Sequence, residues 1–266
     1  MMYPNDCSLA VDTLRNCIDA VINWNTQNIL LCNPEKTEVI QLTSGFVRHP
    51  VLRHFSFGNT TIELSDKVRD LGVILDKELS LRQHVNDICK KAILALRSIR
   101  QIRKYLSQSN LKSIVNAFVI SRLDYCSSIL YGLPKLEHEK LLRVQNIAAR
   151  LITGTSLKDH ITSLLKNLHW LHVRPRIVFM ILLLIYKILN GQSPTYLTSL
   201  VRSLRSSDRL LLQVPNVLTA IDGQRTFSFC APKLWNTLPQ TIKEAETVAS
   251  FKKKLKTFLF CYHFKP

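Results

Sequence analysis

A regular apolar stripe between residues 85 and 106 constrains the fold of this chain more than any other feature. Its members recur at steps of three and four, which places them along one side of a long α-helix. They are Val85, Ile88, Ala92, Ala95, Ile99, Ile102 and Leu106. Ser80, with Gln83 three residues later, has the spacing of a capping box that begins such a helix. A long helix with one apolar side needs other helices to cover it, so a helical bundle is expected.

The polar side of this predicted helix is strongly basic. Between residues 81 and 104, Asp87 is the one acidic residue. The cations on the helix are Arg82, Lys90, Lys91, Arg97, Arg100, Arg103 and Lys104. Such a face predicts contact with a phosphate backbone, although a solvated surface that keeps the protein soluble is the alternative. A second candidate set near the C-terminus consists of Lys252, Lys253, Lys254 and Lys256.

The overall charge also favours a polyanionic partner. The 266 residues carry a formal net charge of +17, with a pI of about 9.8. Nucleic acid is the first candidate partner, and an anionic membrane surface is the second. The hydrophobic content of 46% is ordinary for a folded protein and too high for a disordered one.

Helical periodicity continues downstream of the basic helix. Leu111, Ile114, Val115, Phe118, Val119 and Leu123 predict the next inward face, with Ser109 as its cap. Leu141, Val144, Ala148 and Leu151 predict another, and Gly154 suits its end. The apolar run Ile177–Tyr186 is only ten residues long. A spanning helix needs about 20 apolar residues, so this run predicts a buried core helix and no membrane segment.

The N-terminal part has a different pattern. A helix with the apolar positions Leu14, Cys17, Ile18, Val21 and Trp24 precedes short β-like runs. These runs predict one hairpin over residues 29–42, a second over 55–64 with Gly58-Asn59 at its turn, and a single strand over 68–75. The expected fold class is therefore mainly α, a helical bundle with a small antiparallel β region near the N-terminus. The expected domains are residues 1–78, 79–155 and 156–266.

Two motifs in the middle of the chain are long enough to suggest a family. They are S-R-L-D-Y-C-S-S at residues 121–128 and V-Q-N-I-A-A-R-L-I-T-G at residues 144–154. They resemble the region that follows the polymerase core in LINE-type, Jockey-like non-LTR retrotransposon reverse transcriptases. Further similar motifs follow the order of that family, at residues 33–38, 71–76, 168–177, 223–227 and 231–239. The resemblance covers residues 9–260, with His172 at a position where the family pattern has Pro.

This resemblance implies the thumb and C-terminal module of a reverse transcriptase, without its catalytic palm. In the family, an Asp-Asp pair and an earlier Asp hold two Mg²⁺ ions at the growing strand. No Asp-Asp pair occurs here, and Asp6 and Asp12 stand alone. We therefore expect a truncated member of this RNA-directed DNA polymerase family that is not an enzyme by itself. Its residual role would be to hold RNA or an RNA–DNA duplex, with a separate polymerase core as a further candidate partner.

Other chemistry finds no support in the sequence. P-loop, dinucleotide-binding and G-x-S-x-G motifs are absent. His169 and His172 lack further zinc ligands at suitable spacing, so no metal and no cofactor is expected. Residues 70–106 also resemble a short module that precedes the dioxygenase in some AlkB-like tRNA-modifying proteins. An oxidoreductase or methyltransferase role on that basis is rejected, because no His-x-Asp or His-x-Glu pair is present to hold iron.

The cysteines and the N-terminal residues indicate where in the cell the protein is expected. The seven cysteines are odd in number and lack C-x-x-C spacing, which indicates reduced, buried thiols in an intracellular protein, cytoplasmic or nuclear. Residues 1–10 lack the pattern of a signal peptide. Two other hypotheses remain open beside nucleic-acid binding. One is a non-catalytic protein-interaction remnant, and the other is a relic that scarcely folds and exposes an apolar patch near residues 7–42.

Overall fold

The structure is a computed structural model that describes residues 7–43, 54–57, 60–202, 210–216 and 223–264. The described residues are mainly helical, with two small antiparallel sheets near the N-terminus, which confirms the predicted fold class. The chain divides into two compact units, residues 1–84 and residues 85–266. The N-terminal unit contains the β structure, and the second unit is a helical bundle.

The N-terminal unit begins with α1 (Cys7–Gln27), whose apolar positions are largely exposed. Leu14, Val21 and Trp24 are each about half exposed, at 46%, 56% and 58%. The helix ends where the N–H of Leu30 donates to the carbonyl of Asn25 over 2.8 Å, with Ile29 at a φ of 60°. This arrangement is a helix C-terminal cap in which one residue takes the left-handed conformation.

The hairpin predicted over residues 29–42 is wrong. Residues 28–30 are used to end α1, and Asn33 then caps a single 3₁₀ turn, Pro34–Lys36, by accepting from the N–H of Glu35. Val39 forms only an isolated parallel bridge to Leu64. Asn33 and Pro34 therefore build a local capped turn without flanking strands.

Two hairpins do form in this unit. The strands β1 (His54–Phe57) and β2 (Thr60–Glu63) pair antiparallel, which confirms the predicted hairpin, while its turn residues 58–59 lie outside the described residues. The predicted single strand over 68–75 is instead a second hairpin, β3 (Lys67–Asp70) with β4 (Val73–Asp76). Leu71 and Gly72 both have positive φ, 43° and 88°, as a two-residue turn between twisted strands requires.

The helix predicted from the apolar stripe is α2 (Arg82–Ile102). Its start is fixed by Asp76, whose carboxylate accepts the backbone N–H groups of Ser80 and Leu81 at 2.8 Å each. The hydroxyl of Ser80 also bonds to Asp76, so Asp76 organises a turn that the capping-box prediction assigned to Ser80 and Gln83. Most of the predicted stripe is buried, but Ala95 is only partly buried and Ile102 is exposed. Cys89 and Leu96, which the stripe did not include, are also buried.

Helices continue through the rest of the second unit. After a 3₁₀ turn over Arg103–Tyr105, α3 (Gln108–Val115) runs through a π-helical segment, Asn116–Ile120, into α4 (Ser121–Asp124). The later helices are α5 (Lys135–Thr153), α6 (Ile161–Leu168), α7 (Val173–Leu189), α8 (Thr195–Thr198), α9 (Phe227–Asn236), α10 (Gln240–Lys243) and α11 (Val248–His263). Leu141, Val144, Ala148 and Leu151 are all buried on α5, as predicted.

The core of this unit centres on α7. Tyr186 is 1% exposed, stacks on Phe251 of α11 with ring centroids 4.2 Å apart, and donates its hydroxyl to the carbonyl of Ala245. Trp235 of α9 also stacks on Phe251, with ring centroids 6.1 Å apart. Aromatic rings that bury so much area account for much of the stability of the unit.

Two details of α3 and α4 differ from the predictions. Ser107, not Ser109, caps α3, since its hydroxyl accepts the N–H of Asn110 at 3.2 Å. Phe118 is exposed although it was predicted to be inward. The π-helical segment adds a residue to one turn, which rotates the positions after Val115 relative to an ideal helix and leaves Val119 and Ile120 as the buried pair.

One stretch, Ile161–Leu189, is long and apolar enough to cross a membrane by length and composition alone. The structure divides it into α6 and α7, with His169 in the left-handed conformation between them. Ile181, Leu182 and Ile185 of α7 are almost completely buried against the rest of the unit. The predicted core helix over residues 177–186 is therefore confirmed.

Candidate nucleic-acid interface

The exposed side of α2 carries the predicted cations as a continuous row. Lys90 and Arg97 are seven residues apart on α2, so they lie about two helical turns apart on one side. Lys104 follows seven residues later, in the 3₁₀ turn Arg103–Tyr105 that continues from α2. Arg100 lies between Arg97 and Lys104 on the same side. All four are exposed, and among the described residues none of them forms an ion pair with a carboxylate. We call Lys90, Arg97, Arg100 and Lys104 the basic row.

Two other predicted cations of α2 lie apart from the basic row. The ammonium of Lys91 pairs with the carboxylate of Asp87 at 2.7 Å, one turn back on the helix. A cation that is already neutralised contributes less to phosphate binding than one without a partner. Arg82 is exposed in the first turn of α2 and belongs to the N-terminal unit.

The row ends at a groove in the second unit. One wall consists of the end of α2 and the start of α3, and the other consists of the end of α5 with the loop over residues 154–157. The groove has a volume of about 940 Å³. Its cationic lining residues are Arg100, Arg103, Lys104 and Arg150. Tertiary packing therefore brings three of the predicted candidates to one concave surface, together with an arginine that the sequence analysis did not select. We call this surface the basic groove.

Arg150 orders the loop that forms the second wall. Its Nε donates to the carbonyl of Ser156 at 3.1 Å, and its Nη2 donates to the carbonyls of Leu157 and Asp159 at 3.3 and 3.0 Å. The carboxylate of Asp159 in turn accepts the N–H of Ser156 at 2.7 Å. These bonds direct the loop carbonyls toward Arg150, so the side chain both adds positive charge and holds the loop in place.

Arg103 reaches across to the same loop. Gly154 ends α5 with a φ of 75°, and the Arg103 guanidinium lies on the side of its Cα where a β-carbon would stand. A β-carbon at this position would collide with Nη2 of Arg103. The predicted role of Gly154 as a helix stop is confirmed, and the glycine also gives Arg103 the space to lie between the two walls.

The C-terminal lysines do not join this groove. Lys252, Lys253, Lys254 and Lys256 are all exposed on α11. The ammonium of Lys254 donates to the carbonyl of Thr241 at 3.0 Å. Lys256 lines a separate cavity of about 250 Å³ beside Arg176, which is paired with Asp124. The second candidate set thus lies on α11, outside the residues that line the basic groove.

The histidine positions give no sign of a metal centre. Among the described residues, no group of three or more His, Cys, Asp or Glu side chains is placed to hold a metal ion. The His172 ring lies 4.4 Å from that of His263, centroid to centroid, and close to Phe264. Burial, and then the neighbouring His263, lower the pKa of His172 to about 4. These contacts give His172 a packing role at the end of α11.

Comparison of the chain with models of protein families, with curated proteins and with solved structures finds no match.

Proposed function

We propose that this chain binds RNA or an RNA–DNA duplex through its phosphate backbone, with the basic row and the basic groove as the contact surface. The single observation that carries the proposal is the alignment of Lys90 and Arg97 along one side of α2, with Lys104 in the 3₁₀ turn that follows, leading into a groove that three arginines line. Evenly spaced cations without carboxylate partners attract a polyanion and release its counterions on contact.

The motifs of the sequence support a more specific form of this proposal. The sequence resembles the part of LINE-type reverse transcriptases that follows the catalytic palm. The Asp-Asp pair of that palm has no counterpart in the sequence. We therefore propose a non-catalytic, intracellular nucleic-acid-binding protein of retroelement origin. A separate polymerase core is the partner that would supply catalysis.

The test is fluorescence anisotropy of a labelled RNA–DNA hybrid with purified full chain across a salt series. We expect the logarithm of the association constant to fall linearly with the logarithm of salt concentration. Replacing Lys90, Arg97 and Lys104 with Gln should reduce the slope by about 2 to 3, since each lost duplex contact removes roughly 0.9. Binding that keeps its slope and affinity after this triple replacement would remove the assignment.

A matched control separates a local site from a general effect of charge. Lys67, Lys135 and Lys233 are exposed lysines outside both candidate sets and outside the groove. Their replacement with Gln lowers the net charge by the same amount as the basic-row variant. We expect this control to lower affinity slightly and to leave the slope close to that of the wild type. Replacing Lys252, Lys253, Lys254 and Lys256 together tests the second candidate set in the same assay.

The apolar surface of α1 supports a second candidate function, which is association with a protein. Leu14, Val21 and Trp24 are each about half exposed on this helix, and Ile29 and Leu31 just after it are 94% exposed. Apolar side chains in such number mark an interaction surface or an aggregation site. Sedimentation of the wild type and of a Val21→Ser, Trp24→Ser variant tests this, because self-association that the variant abolishes would assign the surface to protein contact.

A further inference from the structure

Two exposed apolar side chains belong to the chain segments that form the basic groove, where simple phosphate binding does not require them. Tyr105 is 76% exposed and lies between the groove-lining residues Lys104 and Leu106. Leu157 lines the opposite wall and is 86% exposed. The ammonium of Lys104 lies over the Tyr105 ring, 4.8 Å from its centroid. An aromatic ring is thus held beside a cation that lines the groove.

We infer that the basic groove takes an unpaired stretch of nucleic acid, with a base stacked on Tyr105 and the adjoining phosphates on Arg100, Arg103 and Lys104. The inference rests on the proposed function and specifies the form of nucleic acid that this groove accepts. Exposed aromatic rings beside a positively charged groove are the arrangement by which proteins hold single strands, because every base has a face that can stack.

The geometry of the groove favours an unpaired strand over a duplex at this position. The bases of a duplex are stacked on one another and cannot lie against a side chain such as Tyr105 without opening. The groove volume of about 940 Å³ falls in the range of sites that enclose small organic ligands. It therefore suits a short run of nucleotides, whereas the open row of Lys90 and Arg97 suits the outside of a backbone.

Leu157, on the opposite wall, also supports a site for an unpaired strand. Its side chain is held over the groove because Arg150 fixes the backbone of this loop through three carbonyl groups. An exposed apolar side chain on this wall provides a further surface that a base can contact, while sugar and phosphate remain near the arginines. A site for free phosphate or for a duplex backbone would gain nothing from either side chain.

The experiment compares three labelled ligands in fluorescence anisotropy with the full chain at one low salt concentration. They are a single-stranded oligopyrimidine, an abasic strand of the same length and phosphate number, and an RNA–DNA hybrid. We expect the single strand to bind about tenfold more tightly than the abasic strand. Tyr105→Ala should remove about this factor on the single strand and leave the abasic strand unchanged. Tyr105→Phe, which keeps the ring, should bind like the wild type.

The outcomes distinguish this inference from the function on which it rests. Equal binding of the abasic and the normal strand, or an unchanged affinity of Tyr105→Ala for the single strand, overturns the stacking site even if the hybrid binds in a salt-dependent manner. Failure to bind all three ligands at low salt by a folded sample overturns the proposed function itself. Circular dichroism of Tyr105→Ala provides the folding control, and the exposure of this residue predicts an unchanged spectrum.

Discussion

The guanidinium of Arg103 occupies the space that a side chain at Gly154 would need. The two residues come from opposite walls of the basic groove, and Gly154 has a φ of 75°, which L-amino acids with a β-carbon adopt with strain. One glycine therefore ends α5 and also fixes where a cationic side chain lies.

Substitution at Gly154 should separate these two roles. We expect Gly154→Ala to lower the free energy of unfolding by about 1 to 2 kcal/mol, because of its positive φ. Gly154→Asn should lose less stability, since Asn tolerates the left-handed conformation. Both variants carry a β-carbon that displaces Arg103, so both should weaken binding of the single-stranded oligopyrimidine to a similar, few-fold extent.

Urea denaturation and anisotropy on the same samples measure the two effects. Arg103→Ala provides the reference for lost binding, and combining it with Gly154→Asn should cause no further loss, because both changes remove the same contact. Additive losses in the double variant would show that Gly154 does not act through Arg103.

The sequence predicted this region only in part. The period of the apolar residues was sufficient to locate α2 and α5, and Gly154 was recognisable as a helix end. The groove itself depends on packing between segments about 50 residues apart, and no local pattern indicates that Arg103 reaches Gly154. Arg150 could have been selected from its place four residues before the terminal glycine, where a basic side chain can reach the last carbonyls of a helix.

The errors in the fold prediction have local physical causes. The hairpin over residues 29–42 was inferred from β-branched and leucine residues, but Ile29 accepts a φ of 60° to end α1. Phe118 was placed inward by an ideal helical period that the π-helical segment over Asn116–Ile120 does not follow. In both places a backbone conformation that is uncommon for the residue type overrides the regular pattern.

Asp124 and Arg176 form an ion pair that unites two of the sequence motifs. The Nε of Arg176 donates to Oδ1 of Asp124 at 2.8 Å, and Nη2 donates to Oδ2. The side chains are 33% and 20% exposed, so the pair is partly desolvated. We expect Asp124→Asn to lower the free energy of unfolding by about 1 to 3 kcal/mol, because it leaves a half-buried guanidinium without its counter-charge.

A double-mutant cycle measures this coupling against a surface pair in the same protein. Asp124→Asn and Arg176→Gln, alone and together, should give a coupling energy of roughly 1 kcal/mol or more in urea denaturation. Lys135 and Glu139 lie 3.7 Å apart with side chains 83% and 49% exposed, and their cycle should give about 0 to 0.5 kcal/mol. Equal coupling in the two cycles would contradict a structural role for the Asp124–Arg176 pair.

The cysteines should differ in reactivity according to burial. Burial raises the pKa of the Cys89 and Cys230 thiols to about 11, whereas Cys17 and Cys261 are exposed. The thiolate is the form that reacts, so Cys89 and Cys230 should resist alkylation in the folded protein. Iodoacetamide labelling followed by peptide mass spectrometry should show Cys17 and Cys261 modified first. Labelling in urea is the control, and fast modification of Cys89 without denaturant would contradict its burial.

The contact between His172, just before α7, and His263, at the end of α11, predicts a pH dependence of stability. The pKa of His172 is lowered to about 4 by burial and by His263, against about 6.5 in an unfolded chain. Between these pH values the unfolded chain binds a proton that the folded chain does not. The contribution of His172 to stability is therefore fully present above pH 6.5, is lost as the pH falls toward about 4, and is constant below that value.

Urea denaturation at intervals between pH 4 and pH 7.5 tests this sign, with pH values chosen to span the titration of His172. We expect the free energy of unfolding of His172→Gln to fall less steeply with decreasing pH than that of the wild type. His160→Gln, at an exposed histidine just before α6, should retain the wild-type slope. The free energy of unfolding of His172→Gln should still depend on pH to some extent, because burial also lowers the pKa of His138. Identical slopes for wild type and His172→Gln would show that His172 is protonated equally in the folded and unfolded chain, which would contradict the lowered pKa.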